Sequence, residues 1–151
     1  MHSEVPELTA HLGYWLRQVS NHVSHAFSRK LAARDVTVAE WAVMRALYGK
    51  EPTSPSRLAD DMALTRGAIS KLADRLINKE LVARVDNPND GRAHKLKLTK
   101  AGMSLVPELA ALADQNETEC FARMPDKDRQ ALERILKETV ARLGIVAIPL
   151  E

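Results

Sequence analysis

Two helix-start signals separated by a very short connection constrain this chain more than any other feature. Ser54-Pro55 offers a capping hydroxyl followed by proline at the first helical position, and Thr65 offers a second cap after only Ala63-Leu64. The spacing predicts a helix from Pro55 to about Met62 that buries Leu58 and Met62. A second helix, from Thr65 to about Lys79, buries Ile69, Leu72, Leu76 and Ile77. Two amphipathic helices joined by so tight a turn form a helix-turn-helix. The period then changes from helical to twofold. Leu81 to Val85 reads as a strand, Asp86-Asn87-Pro88-Asn89-Asp90-Gly91 is a run of turn formers, and His94-Lys95-Leu96-Lys97-Leu98 alternates strictly. Leu96 and Leu98 point inward and the lysines outward. This β-hairpin, the only strong strand signal, follows the two helices directly and reads as a wing.

Helical stripes flank this unit on both sides. Leu8, Leu12, Trp15, Leu16, Val19, Val23, Phe27 and Leu31 recur at three- and four-residue steps up to a break near Arg34-Asp35. Thr37-Val38-Ala39-Glu40 has the form of a capping box and opens a helix buried through Trp41, Met44, Leu47 and Tyr48, ending at Gly49. After the hairpin, Thr99 caps a long helix with Leu105, Leu109, Leu112, Asn116 and Cys120 on one stripe. Pro107 inside that stripe predicts a kink or a restart. Met124-Pro125-Asp126 starts a last helix with Leu132, Leu136, Val140 and Leu143 on one side, closed by Gly144 and followed by an apolar tail, Ile145–Glu151. The fold expected is mainly α with a small β-hairpin: a winged helix-turn-helix with long N- and C-terminal dimerisation helices. It forms one domain, with an N-terminal arm of about 1–35, a reader of about 36–100 and C-terminal helices of about 101–151. The three outer stripes exceed what the small central unit can cover, so they are assigned to a homodimer interface.

A chain of 151 residues fits one globular domain. Its single Cys excludes an internal disulfide framework and a Cys-only zinc site, and no apolar run approaches a membrane span. The opening MHSEVPELTAHL lacks a basic region followed by an apolar one. A cytoplasmic protein without membrane partners is expected. The net charge of +2 is unevenly distributed. Residues 1–53 carry a net +1, residues 54–100 a net +4 from 10 basic and 6 acidic side chains, and residues 101–151 a net −3. A basic centre between a neutral and an acidic arm points to a polyanion facing the helix-turn-helix and wing.

The chemistry of such a reader selects particular residues. With Ile69, Leu72 and Leu76 inward, the second helix presents Arg66, Gly67, Ser70, Lys71 and Asp74 outward. Arg66, Ser70 and Lys71 lie in the half that reaches deepest into a major groove and are candidates for base edges. Gly67 permits close approach of backbone to DNA, and Ser56 and Thr65 sit at helix starts that favour phosphate oxygens. Arg92, at the hairpin tip, suits a narrow A·T-rich minor groove, with Asp90 positioned to hold its guanidinium. Lys95 and Lys97 would contact the DNA backbone. Asp74 and Arg75 remain open between ion pairing with the hairpin and phosphate contact.

The stretch Leu58-Ala59 … Leu64-Thr65-Arg66-Gly67-Ala68-Ile69-Ser70-Lys71-Leu72 … Leu76-Ile77-Asn78-Lys79-Glu80-Leu81-Val82-Ala83-Arg84 resembles the MarR (multiple antibiotic resistance regulator) family. The resemblance continues through Asp86-Asn87-Pro88-Asn89-Asp90-Gly91-Arg92 and Leu96-Lys97-Leu98-Thr99-Lys100-Ala101-Gly102. Two departures stand out: Gly91 where many members carry Arg after the wing aspartate, and Glu80 where they often carry Gly. The resemblance implies a two-fold dimer on double-stranded DNA at a pseudo-palindromic operator, with the same roles for Asp90 and Arg92. It also implies a repressor released by a small-molecule effector, often an aromatic acid, held between the dimer helices and the winged unit. Carried onto this chain, that crevice would be lined by Trp15, His22 and His25 from the first helix and by Trp41, Met44 and Arg45 from the second.

Other function classes find little support. There is no phosphate-cradling Gly loop, nucleophile motif or His-Glu metal pair, so neither an enzyme nor a cofactor is expected. His22 and His25 share a helix face but lack a third ligand at metal spacing. Two alternatives stand beside the ligand-released repressor. One is a redox-responsive regulator acting through Cys120, although a buried structural thiol is the better expectation for that residue. The other is a winged-helix interaction module without DNA binding, against which Arg92 and the basic centre argue.

Overall fold

The structure, a computed structural model, describes residues 4–87 and 90–150; the side chains of residue 87 and of 90–93 fall outside that description. After a single 3-10 turn at Leu8–Ala10, the helices are α1 (Leu12–Ala32), α2 (Val38–Leu47), α3 (Pro55–Met62), α4 (Arg66–Asn78), α5 (Lys100–Phe121) and α6 (Asp126–Leu143). Between α4 and α5 lie β1 (Val82–Asn87) and β2 (Asp90–Leu98), paired antiparallel from Val82 opposite Leu98 to Asn87 opposite Asp90. This is the winged helix-turn-helix that the sequence implies.

The local chemistry that starts the elements is visible atom by atom. Thr37 and Glu40 form a full capping box, the Thr37 hydroxyl accepting from the Glu40 N–H at 3.1 Å and the Glu40 carboxylate from the Thr37 N–H at 2.9 Å. Ser54, Thr65 and Thr99 cap α3, α4 and α5 in the same one-sided way, each accepting from the N–H three residues on. Helix ends are just as uniform. Asp35, Ala63 and Glu80 take left-handed φ values of 56°, 53° and 60°. After each, the next N–H returns to a carbonyl five residues back: Val36 to Leu31, Leu64 to Ala59, Leu81 to Leu76. The tight turn of the helix-turn-helix is thus a left-handed helix cap at Ala63. Glu80, one of the two departures from the family pattern, thus holds a left-handed conformation that favours glycine.

Leu31, Val43, Met44, Ile69, Leu76 and Leu109 are fully buried in one core that joins α1, α2, α4 and α5 and is closed underneath by Leu96 and Leu98 of β2. Thr53 adds one bridge to the hairpin, exchanging hydrogen bonds with Leu96 at 2.8 and 2.9 Å. α5 runs along α1 and is locked to it by buried Asn116, which donates to the Val23 carbonyl at 3.2 Å and accepts from Lys30 at 3.0 Å. By contrast α6 buries none of its residues and touches the other elements only marginally.

Three expectations need correction. The strands reach into the run of turn formers, since Asp86, Asn87, Asp90 and Gly91 are all extended, with an irregular register between Asp86 and Asn87. Of the two outcomes expected at Pro107, the restart is not seen: α5 continues through it from Lys100 to Phe121, with one amide donor lost. Cys120 is partly exposed rather than buried.

Candidate nucleic-acid interface and adjoining crevice

α4 is held by its apolar side and leaves a polar face open. Ile69, Leu72, Ala73 and Leu76 are buried, while Arg66, Gly67, Ser70 and Lys71 are exposed and successive along the first two turns. The Thr65 hydroxyl is exposed but accepts from the Ala68 N–H at 3.1 Å, and Ser56 is half-buried in the first turn of α3 behind its cap, Ser54. Lys95 and Lys97 project from β2 into solvent, on the face opposite Leu96 and Leu98. The side chains of Asp90 and Arg92 lie outside the described residues.

One side chain pair ties the helix to the hairpin. The Arg84 guanidinium on β1 meets the Asp74 carboxylate on α4 at 2.6 Å. Of the two residues left open by the sequence, Asp74 therefore pairs with the hairpin. Arg75 does something else: it reaches back to α2, with its Nη2 3.2 Å from the Thr37 hydroxyl and 3.3 Å from Glu40 Oε1.

Glu40 is the centre of a charged node. It has no exposed surface, and Lys79 Nζ stands 3.1 Å from its Oε1 and 3.0 Å from its Oε2. Lys79 also donates to the Asp35 carbonyl at 2.6 Å. Burial pushes the Glu40 carboxyl up, but the Thr37 N–H, the Lys79 ammonium and the Thr37 hydroxyl outweigh it and hold the pKa below the ordinary carboxylate value. The C-terminal half of α4 is thereby fastened to the first turn of α2.

Behind this node lies a crevice of about 800 Å³ between α1 and α2. Phe27, Trp41 and Ala42 give it apolar walls, Arg45 and Arg75 bring cations to it, and the tail residues Ile148, Pro149 and Leu150 line one side. Of the six effector candidates, His25, Trp41 and Arg45 line it. Met44 does not, being fully buried in the core on the opposite face of α2. Trp15 and His22 also stand away from it within the single chain. Trp15 is 53% exposed, with its indole N–H on the Thr9 carbonyl at 3.0 Å, and His22 points to solvent. Arg75 and the tail were missed by sequence reasoning. The tail shows no periodicity, and the orientation of Arg75 depends on a residue 35 positions away.

This geometry is shared with known proteins. A model of the MarR family matches residues 34–93, the stretch from the end of α1 to the wing. The multiple antibiotic resistance protein MarR of Escherichia coli strain K12 is 27% identical over 130 residues, covering 85% of this chain and 90% of its own length. A crystal structure of an E. coli MarR mutant complexed with operator DNA superposes with a TM-score of 0.74 at 25% identity, covering 85% of this chain and 93% of that one. Over that stretch the chain is similar to the MarR family. Two further relatives, from Thauera aromatica and Pseudomonas putida, at 25% and 23% identity, are named as a transcriptional regulatory protein and a transcriptional repressor. The same fold recurs in Bordetella bronchiseptica BpsR, whose DNA binding is regulated by 6-hydroxynicotinic acid. That structure has a TM-score of 0.75 at 22% identity, over 90% of this chain and 97% of that one. No helix among the described residues is long and apolar enough to cross a membrane, and no cluster of three or more metal-ligating side chains occurs among them.

Proposed function

We propose that the chain is a homodimeric, cytoplasmic repressor that binds a pseudo-palindromic operator in double-stranded DNA and leaves it when a small aromatic acid enters the crevice. The observation that carries the reading is the open face of α4. Arg66, Gly67, Ser70 and Lys71 stand exposed on the first two turns, beside a hairpin whose outer lysines, Lys95 and Lys97, face the same solvent. Arg66, Ser70 and Lys71 contact bases; Ser56, Thr65, Lys95 and Lys97 contact phosphates; Arg92, held by Asp90, enters the minor groove. The naming of operator DNA for the E. coli MarR complex supports the first half of the proposal. The aromatic acid named for BpsR supports the second.

A duplex selected from a random library tests the DNA reading. Binding should weaken steeply with salt, because each neutralised phosphate releases counterions. Arg66→Ala should cost about 1–3 kcal/mol on the selected site and relax its sequence preference. Binding that ignores salt, or an Arg66→Ala protein with unchanged preference, would leave α4 without the role assigned to it.

The dimer reading rests on apolar surface that one chain leaves bare. Leu12, Trp15, Leu16 and Val19 on α1 and Ile135, Leu136, Val140 and Leu143 on α6 are between 43% and 76% exposed. Exposed apolar stripes of this length mark an interface, and an α6 that buries nothing in its own chain needs a second chain to cover it. Sedimentation should give twice the 16.8 kDa of one chain. Leu136→Asp should shift the mass toward a single chain, and a wild-type mass of one chain at micromolar concentration would contradict the proposal.

A further inference from the structure

The crevice and the DNA-reading helix share one side chain. Arg75 belongs to α4, lines the crevice, and turns its guanidinium toward Glu40 and Thr37 at the start of α2. About half of its side-chain surface remains exposed, on the crevice side. Glu40, in contrast, is completely buried, and its Oε2 accepts no well-formed hydrogen bond although Lys79 Nζ stands 3.0 Å away. The carboxylate is thus shared between two cations, one of which faces a cavity with apolar walls. Arg45, the other crevice cation, lies over the Tyr48 ring at 5.8 Å and pairs with no carboxylate among the described residues.

We propose that Arg75 is the anion receptor of the crevice, and that a bound carboxylate loosens the C-terminal half of α4 by drawing the guanidinium away from Glu40 and Thr37. This rests on the reading of the crevice as an effector site and names the chemistry it selects: an aromatic body against Phe27 and Trp41, with one carboxylate directed at Arg75. A guanidinium offers five donors in a planar fork and pairs best with a carboxylate that meets it edge-on. The oblique 3.3 Å contact to Glu40 is the weaker partner. Once Arg75 turns, Lys79 alone joins Glu40 to the end of the reading helix. An uncharged ligand of the same shape fills the crevice without producing that change.

The test uses the full-length protein, 1-naphthoate and its uncharged isostere 1-naphthamide. The Trp41 indole NMR signal, assigned with a Trp15→Phe variant, reports occupancy. Wild type should bind the carboxylate about tenfold more tightly than the amide, the usual gain of a charge-assisted hydrogen bond. Arg75→Gln should bring the ratio close to one, while Arg45→Gln leaves it in place and Arg75→Lys keeps part of it. Hydrogen exchange of the amides from Arg75 to Glu80 should quicken with naphthoate in wild type and not in Arg75→Gln. Equal binding of the two ligands by wild type overturns the role of Arg75 but leaves the effector crevice standing, as does a preference that survives in Arg75→Gln. Unchanged exchange overturns the link to α4. If neither ligand moves the Trp41 signal, the crevice reading falls with the proposal.

Discussion

Replacing Gly102 with alanine should destabilise the protein by about 3 kcal/mol or more, the largest effect expected of a single methyl group in this chain. Gly102 is buried in the first turn of α5, where that turn crosses the end of the α4–β1 connection. A Cβ there would overlap the Leu81 backbone oxygen and lie 3.2 Å from Leu98 Cδ2. The overlap cannot be relieved by a side-chain rotation, because the Leu81 oxygen is itself held, accepting from the Thr99 N–H at 3.0 Å. Thr99 adds a bond from its hydroxyl to the Glu80 carbonyl at 2.7 Å while capping Gly102 at 3.1 Å. Room for the methyl group therefore requires α5 and the wing to part. Urea unfolding at fixed protein concentration measures the change. Gly13→Ala supplies the opposite sign: nothing lies within 4 Å of its missing Cβ, so it should gain about 0.5–1 kcal/mol. Two alanine variants with equal stabilities would refute the close approach.

The second large effect belongs to Glu40→Ala, expected to cost about 2–4 kcal/mol. The substitution removes the carboxylate half of the capping box at α2, leaving the Thr37 hydroxyl cap in place, together with the shared partner of Lys79 and Arg75. Losing the bond from the Thr37 N–H costs about 1 kcal/mol, and the hydrogen bonds to the charged side chains add about 1.5–3 kcal/mol. The total stays below that of a fully buried pair because Lys79 and Arg75 retain 27% and 49% of their side-chain exposure and can turn to water. A pH signature accompanies it. The folded-state pKa of Glu40 lies below its unfolded value, so the folded protein holds the proton less readily. Its contribution is complete above the unfolded pKa and is lost as pH falls through the folded one. Wild type should accordingly lose stability on acidification faster than Glu40→Ala, in the range at and below ordinary carboxylate titration. Parallel curves for the two proteins would show that the carboxylate carries no net stabilisation.

Much of the fold was legible because its signals are local. The Thr37–Glu40 box, the Ser54-Pro55 start and the Thr65 cap each satisfy amides within three residues, and the alternation of Leu96 and Leu98 fixes which face of the hairpin is buried. Even the exposed order Arg66, Gly67, Ser70, Lys71 follows from the burial of Ile69 and Leu72. The crevice was legible only in part. Trp41 and Met44 are three residues apart on α2, and no periodicity separates the side that lines a cavity from the side that fills the core. Arg75 and Lys79 meeting Glu40, and the tail at Ile148 meeting the Met62 carbonyl at 3.5 Å, depend on how helices cross. Sequence spacing within one helix cannot encode that.

The ion pair between Asp74 and Arg84 adds little to stability, since both side chains are about half exposed. Its consequence is geometric. With one carboxylate on α4 and one guanidinium on β1, the pair opposes separate tilting of helix and hairpin, and on the proposed function the winged lobe would meet a duplex as a single stamp. On that proposal a half-site would be accepted only when its major-groove edge and the neighbouring minor groove present themselves at the separation this stamp imposes. DNA of a suitable sequence but the wrong groove width would be refused without any base being misread.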